Sequence, residues 1–399
     1  MTMKVRGVLS LVVAAAAMWL TSCGHYTCGA TFGNSSCSST GGGISQGGNG
    51  SSGTVFAFLL VESNTAPVGM AADHLDLSTK VFTVEASFTP PPLPLSAGVF
   101  DGGTVVVSST STKYLYIPFS DSTLFGYAID GKTGALTPVP NSPYIATGGT
   151  SITADPTGRF LFVSDFASGD ITVFTINAND GSLSPVAGSP FLSGIAAAQM
   201  STDGQGKFLY VTEGLGGAHV AAFAVSQTTG VLTTVTGSPF AIDMAQVGGE
   251  KTGKFLLGIS GIDSHIHVFG INSTTGAIAE VSGSPFATAS APLNFAVHPT
   301  GTFVYTFHSA GAAIEGFQID PTSGALTAIA GSPFTVAMLD QGQFDQSGKF
   351  LFGVGAGNLA PTFGPYPTDP TTGIVSATTF ELGGFPGAGF AISDLDDAP

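Results

Sequence analysis

Glu213 ends the run KFLYVTE and His308 ends TFVYTFH, two copies of one pattern that sets an ionisable group just past a short apolar segment. A carboxylate or imidazole placed there could take a proton from a water attacking a carbonyl carbon, provided the water lies within hydrogen-bond reach. The alternative for Glu213 is an acidic loop residue with no chemistry. A second set, Ser151, Gln199, Gln246, Asn294 and Gln341, recurs four residues before Asp155, Asp203, Glu250, His298 and Asp345. Neutral amides and a hydroxyl in that register offer donors and acceptors without charge, suited to a polar neutral ligand or to ordered water.

These groups must be positioned by a repeated element. The motif GSPF occupies 188–191, 237–240, 283–286 and 331–334, with NSPY at 141–144, so its prolines fall at 143, 190, 239, 285 and 333. Six related runs keep the same beat: KYLYIPF at 113, RFLFVSD at 159, KFLYVTE at 207, KFLLGIS at 254, TFVYTFH at 302 and KFLFGVG at 349. A fixed period of this size signals stacked supersecondary units. Within one unit, Asp155-Pro-Thr-Gly precedes RFLFVSD, then ITVFTIN, then SLSPVAGSPF, short apolar runs bounded by Gly, Asn and Asp. That is the pattern of antiparallel strands joined by tight turns. Four strands per unit make a propeller blade.

The expectation is an all-β, seven-bladed β-propeller of four-stranded antiparallel blades over residues 54–399. Its first blade would place strand B at 54–62 and strand C at Lys80–Ala86. Strand A of that blade is missing ahead of it. The C-terminal GFAISD, Gly389–Asp394, matches Asn294–Pro299 in apolar pattern and is expected to complete the blade and close the ring. GSPF reads as the stop mark after each outermost strand, where proline is tolerated.

Propeller geometry limits which groups converge. Equivalent positions on the third strands of adjacent blades lie about 15 Å apart. Asp170, His219 and His265, which recur at one such position, therefore cannot share a metal ion, and His265 with His267 supplies two ligands only. No phosphate loop, nucleophile elbow or paired-carboxylate motif is present, and neither a metal nor a cofactor is expected.

The termini speak of export. Residues 1–22 carry Lys4 and Arg6 before the apolar run Val8–Leu20, the order of a secretory signal. Leu20-Thr21-Ser22-Cys23 resembles the bacterial lipoprotein box, which implies lipidation of Cys23, and Gly24 after it resembles the outer-membrane sorting pattern. Residues 23–53 then form a Gly/Ser-rich tether. Export permits a Cys28–Cys37 disulfide, with two free thiols as the alternative. Without Lys4 and Arg6, 8 of the 10 basic residues face 26 acidic ones, a charge of about −18. Nucleic acid and anionic lipid are excluded as partners on that ground. A small neutral polar ligand or another envelope protein is expected, on a monomer that meets the membrane only through its lipid.

The unit D/H-P-x-G-K/R-F-L-Y/F-V followed by I-x-V-F-x-I-(N/D)-x-x-T-G-x-L resembles the lactonase family of seven-bladed propellers, which includes bacterial 6-phosphogluconolactonase. The resemblance implies a cyclic-ester hydrolase with an Arg-His pair on an inner strand and a glutamate closing the next strand. Glu213 matches that glutamate, and Asp165 and Asp170 match the family's Asp-Leu-Gly-x-Asp turn. Where Arg-His would fall, the fourth blade has Ala198-Gln199 and the sixth has Pro292-Leu293-Asn294. Beyond residue 22 the chain holds one arginine, Arg159, in an A–B turn shared with Lys207, Lys254 and Lys349. A phosphorylated lactone needs cations at its site, so a neutral lactone is the better expectation. A binding propeller that has lost this chemistry is the alternative.

Overall fold

The computed structural model describes residues 54–61, 69–76, 81–84, 104–107, 112–119, 121–131, 133–214, 216–308, 313–335, 339, 341–355, 362–376 and 389–393. The signal, the tether and Cys23, Cys28 and Cys37 lie outside them. The described residues form strands and turns without a helix, in seven antiparallel sheets.

The third blade gives the plan. Strand A, Ser151–Ala154, pairs with strand B, Phe160–Ser164; B pairs with C, Asp170–Ile176; C pairs with D, Leu183–Pro185. The fourth, fifth and sixth blades repeat it, with A strands at Gln199–Thr202, Gln246–Gly249 and Asn294–Val297. Thr104–Val107 opens the second blade and Gln341–Phe344 the seventh, whose described sheet has three strands. Successive A strands touch in order from Thr104–Val107 to Gln341–Phe344, and Gly389–Ser393 touches Thr104–Val107.

In the first blade the strands are Thr54–Val61, Gly69–Asp76 and Val81–Val84. The segment expected as strand C is thus strand D, because Gly69–Asp76, a polar-looking run, takes the C position beside Thr54–Val61. On the other edge of Thr54–Val61 lies Gly389–Ser393, in a register running from Phe56 opposite Ser393 to Leu60 opposite Gly389.

In the third, fourth, fifth and seventh blades the A–B turn is tied by the acid at its start. Asp203 Oδ1 accepts the amides of Lys207 at 2.6 Å and Phe208 at 2.8 Å, and Asp155, Glu250 and Asp345 serve the same end. These acids are almost wholly buried. Burial pushes the Asp203 carboxyl above its usual range, against the pull of its amide donors. In the sixth blade His298 replaces the acid, its Nε2 2.9 Å from the Gly348 carbonyl oxygen of the seventh. Arg159 ion-pairs with Asp155 at 3.1 Å and stays partly exposed, as a turn residue should.

GSPF works inside the blade edge instead of ending it. The Ser-Pro bond is cis at all five sites, from Ser142-Pro143 to Ser332-Pro333. The serine Oγ accepts an amide from the middle of strand C: Val173 to Ser189 at 2.8 Å, Ala222 to Ser238 at 2.8 Å, Val268 to Ser284 at 3.0 Å. The Phe that follows then pairs with the start of the same strand, Phe191 opposite Ile171. A side-chain oxygen thus bridges the place where strand D has left the ladder. Gly188 stands at φ +87°, and Asn141 in the NSPY copy at +63°, a region asparagine tolerates better than other side chains.

The core lies between blades. One cluster joins Phe162 and Val173 of the third blade to Leu209 and Phe223 of the fourth; another joins Leu257 and Val268 of the fifth to Val304 and Phe317 of the sixth. Across three interfaces a buried phenol reaches the next blade's C–D turn: Tyr116 to the Gly181 oxygen at 2.7 Å, Tyr210 to Gly276 at 2.9 Å and Tyr305 to Gly373 at 2.7 Å.

Candidate functional site

The antiparallel register brings the nominated residues to one end of the blades. Strand A begins where strand B finishes: Ser151 lies opposite Ser164, Gln199 opposite Thr212, Gln246 opposite Ile259, Asn294 opposite Phe307 and Gln341 opposite Val354. Glu213 and His308 follow the B strands at that end, and Asp170 and His265 open the C strands there. The described lysines and arginine, Lys113, Arg159, Lys207, Lys251, Lys254 and Lys349, all sit at the other end, on or beside the A–B turns.

The amide series divides. Gln199 is engaged by the neighbouring blade: its Oε1 accepts the Val247 amide at 3.0 Å and its Nε2 donates to the Val247 carbonyl at 3.2 Å. Gln246 Oε1 accepts the Phe295 amide at 3.3 Å. Both side chains join consecutive A strands, where backbone groups would otherwise lack partners. Ser151 is buried, while Asn294 and Gln341 are half-buried.

Glu213 lies in the fourth blade's B–C loop with its side chain 22% exposed. Its Oε2 accepts the Ala218 amide at 2.8 Å and lies 3.0 Å from His219 Nδ1. Asp165, at the matching place in the third blade, is occupied by its own turn, accepting from the Ala167 amide and the Ser168 hydroxyl.

His308 sits in a richer setting. It is buried, with Nδ1 3.1 Å from Ser290 Oγ and Nε2 3.2 Å from Glu315 Oε2 and 3.0 Å from Thr306 Oγ1. Both Glu315 oxygens accept the Ala289 amide. Burial alone would raise the Glu315 carboxyl, but the hydrogen bonds from His308 and the Ala289 amide bring it below its usual value. Sequence reasoning found His308 through the repeat but missed Ser290 and Glu315, which are 18 residues before it and at the third position of the next strand, Ala313–Ile319.

In the fifth blade His267 lies between two carboxylates, with Nε2 3.1 Å from Asp263 Oδ2 and Nδ1 2.9 Å from Glu280 Oε1. Asp263, His267 and Glu280 help to line an open cavity of about 440 Å³ with Asp243, Met244 and Ser260. Among the described residues no group of three or more His, Cys, Asp or Glu is arranged to hold a metal ion.

Residues 100–192 and 241–337 match the family described as Lactonase, 7-bladed beta-propeller. These two segments are similar to lactonase-family propellers. A putative 6-phosphogluconolactonase from Bacteroides fragilis superposes with a TM-score of 0.66 at 17% identity, covering 88% of this chain and 100% of that one. The periplasmic gluconolactonase PpgL of Pseudomonas aeruginosa gives 0.64 at 14% identity, over 86% of this chain and 100% of its own. At such identities these likenesses speak to the propeller fold. No curated protein matches the chain. The propeller fold is thus present with Gln199 and Asn294 at the strand starts where the resemblance implied an Arg-His pair.

Proposed function

We propose that this propeller is an exported, lipid-anchored hydrolase of a neutral lactone, acting at the end of the blades where strands A start and strands B finish. The observation that carries the reading is the segregation of charge: every described lysine and arginine lies at the opposite end, while Glu213 and His308 lie at this one. A phosphorylated ring would find no counter-charge there among the described residues, whereas a neutral ring needs only a base and hydrogen bonds. Glu213, with His219 as partner, is the base of this reading, and Ser151, Asn294 and Gln341 are the polar contacts. Residues 1–22 serve as signal, Cys23 carries the lipid, 23–53 tethers the propeller to the outer membrane, and Gly389–Ser393 closes the ring as strand A of the first blade. The pairing of that strand with Thr54–Val61 supports the last point.

Purified 54–399 should open unphosphorylated lactones, with Glu213→Gln at least 100-fold slower; equal rates in the two proteins would sink the role of Glu213. One observation favours a second reading, a non-catalytic binding propeller: Gln199, Gln246 and Glu213 all have backbone amide donors of their own. Lack of turnover across the panel, with saturable binding of a neutral ligand, would select it.

A further inference from the structure

The sixth blade brings a hydroxyl, an imidazole and a carboxylate into line. Ser290 Oγ is 3.1 Å from His308 Nδ1, and His308 Nε2 is 3.2 Å from Glu315 Oε2. The three residues come from the D–A connection, the end of strand B and the body of strand C, and each is fixed separately. The Thr288 hydroxyl donates to the Ser290 carbonyl oxygen at 2.8 Å, the Ala289 amide is held by Glu315, and the Leu293 amide donates to Phe307 at 2.8 Å. The segment bearing Ser290 is thereby pinned on both sides to the two strands that carry His308 and Glu315.

Protonation follows from the geometry. Glu315 is ionised at neutral pH and accepts only, so His308 must carry its proton on Nε2, which leaves the Nδ1 lone pair towards the Ser290 hydroxyl. Burial of the imidazole keeps water from competing for either nitrogen. Ser290 itself is half-buried, and Leu293, three residues on, is 48% exposed. The corresponding positions of the third blade hold Thr147 and Thr172, hydroxyl to hydroxyl at 2.8 Å. In the fifth blade Ser284 and His267 both meet Glu280, but among the described residues only His308 has a serine hydroxyl at one ring nitrogen and a carboxylate at the other.

We propose that Ser290 is an acyl-accepting nucleophile activated by His308, with Glu315 as positioning residue, and that its substrates are neutral esters or lactones. Ser290 Oγ bonds to the acyl carbon as its proton passes to His308 Nδ1. The acyl C–O bond breaks, and the leaving oxygen takes that proton. Water then attacks the acyl-serine, giving a proton to Nδ1 that returns to Ser290 Oγ as the acid departs. The inference rests on the hydrolase class of the proposed function and adds a covalent step at Ser290 that direct attack by water does not have.

A biotinylated fluorophosphonate incubated with purified 54–399, followed by peptide mass spectrometry, tests this directly. The adduct is expected on Ser290, absent from Ser290→Ala and formed at least 100-fold more slowly in His308→Gln. Since a buried imidazole can matter to folding, p-nitrophenyl acetate supplies a second readout: an acyl burst in the parent, none in Ser290→Ala. Labelling without turnover of any lactone would sink the lactone reading and leave the nucleophile standing. Absence of an adduct, or an adduct elsewhere, would overturn the inference, as would lactone turnover undiminished in Ser290→Ala.

Discussion

The phenolic hydroxyl of Tyr210 donates to the carbonyl oxygen of Gly276, 2.9 Å away in the next blade. The ring is fully buried, and burial carries its hydroxyl far above the usual phenol range, so the group stays a neutral donor. Tyr210→Phe keeps the packing and leaves the Gly276 carbonyl without this donor, which should cost about 1–2 kcal/mol in urea unfolding. Tyr116→Phe and Tyr305→Phe act at separate interfaces, so the three losses should add. A triple variant no weaker than a single one would contradict this.

Ser189 holds the Val173 amide where strand D has left the ladder. Ser189→Ala should cost about 1–2 kcal/mol, because the amide of a central strand residue loses its acceptor. Asn141→Gly in the NSPY copy should be neutral or slightly stabilising, since the backbone there is already left-handed. Thermal melts of both variants check the pair of signs.

Asp203 ties its turn through two amides. Asp203→Ala should destabilise by about 2–3 kcal/mol, whereas Asp203→Asn, which retains an acceptor oxygen, should lose less than half as much. If both variants melt alike, the carboxylate's charge matters and the hydrogen-bond account is incomplete.

His298 supplies a pH dependence. Burial lowers its affinity for a proton below that of an ordinary imidazole, and the bond to the Gly348 carbonyl only partly offsets this. The unfolded chain is thus the better proton binder once pH drops below the ordinary value of 6.5. Stability from this group is complete above that pH and is lost as pH falls towards the native pKa. Urea midpoints at pH 7.5 and 5.5 should differ more in the parent than in His298→Gln, which can still donate to Gly348.

Much of the fold was legible because its cause is periodic. GSPF and the B-strand runs repeat, so their spacing alone marks the blades. The first blade was misread in part because Gly69–Asp76 has no apolar run to announce a C strand. The role of Gln199 was hidden for another reason: a glutamine can face a channel or bridge a neighbouring strand, and only the 3.0 Å contact with Val247 separates these. Asp155, Asp203, Glu250 and Asp345 were aligned by the repeat, yet their work as turn ties needs the position of amides four and five residues on. Ser290 was invisible because the equivalent places hold Thr147, Ile195 and Ile242, a set with no common chemistry until His308 and Glu315 are beside one of them.

The phenol contacts join the second blade to the third, the fourth to the fifth and the sixth to the seventh. At the same strand position the sequence runs Tyr116, Phe162, Tyr210, Leu257, Tyr305, Phe352, so the hydroxyl skips every other joint. In cohesive terms the repeating module is therefore a doublet of blades, twice the length that the proline spacing suggests. Grafting or excising whole doublets should preserve every such joint, whereas a cut after the second, fourth or sixth blade would strand a tyrosine from its glycine.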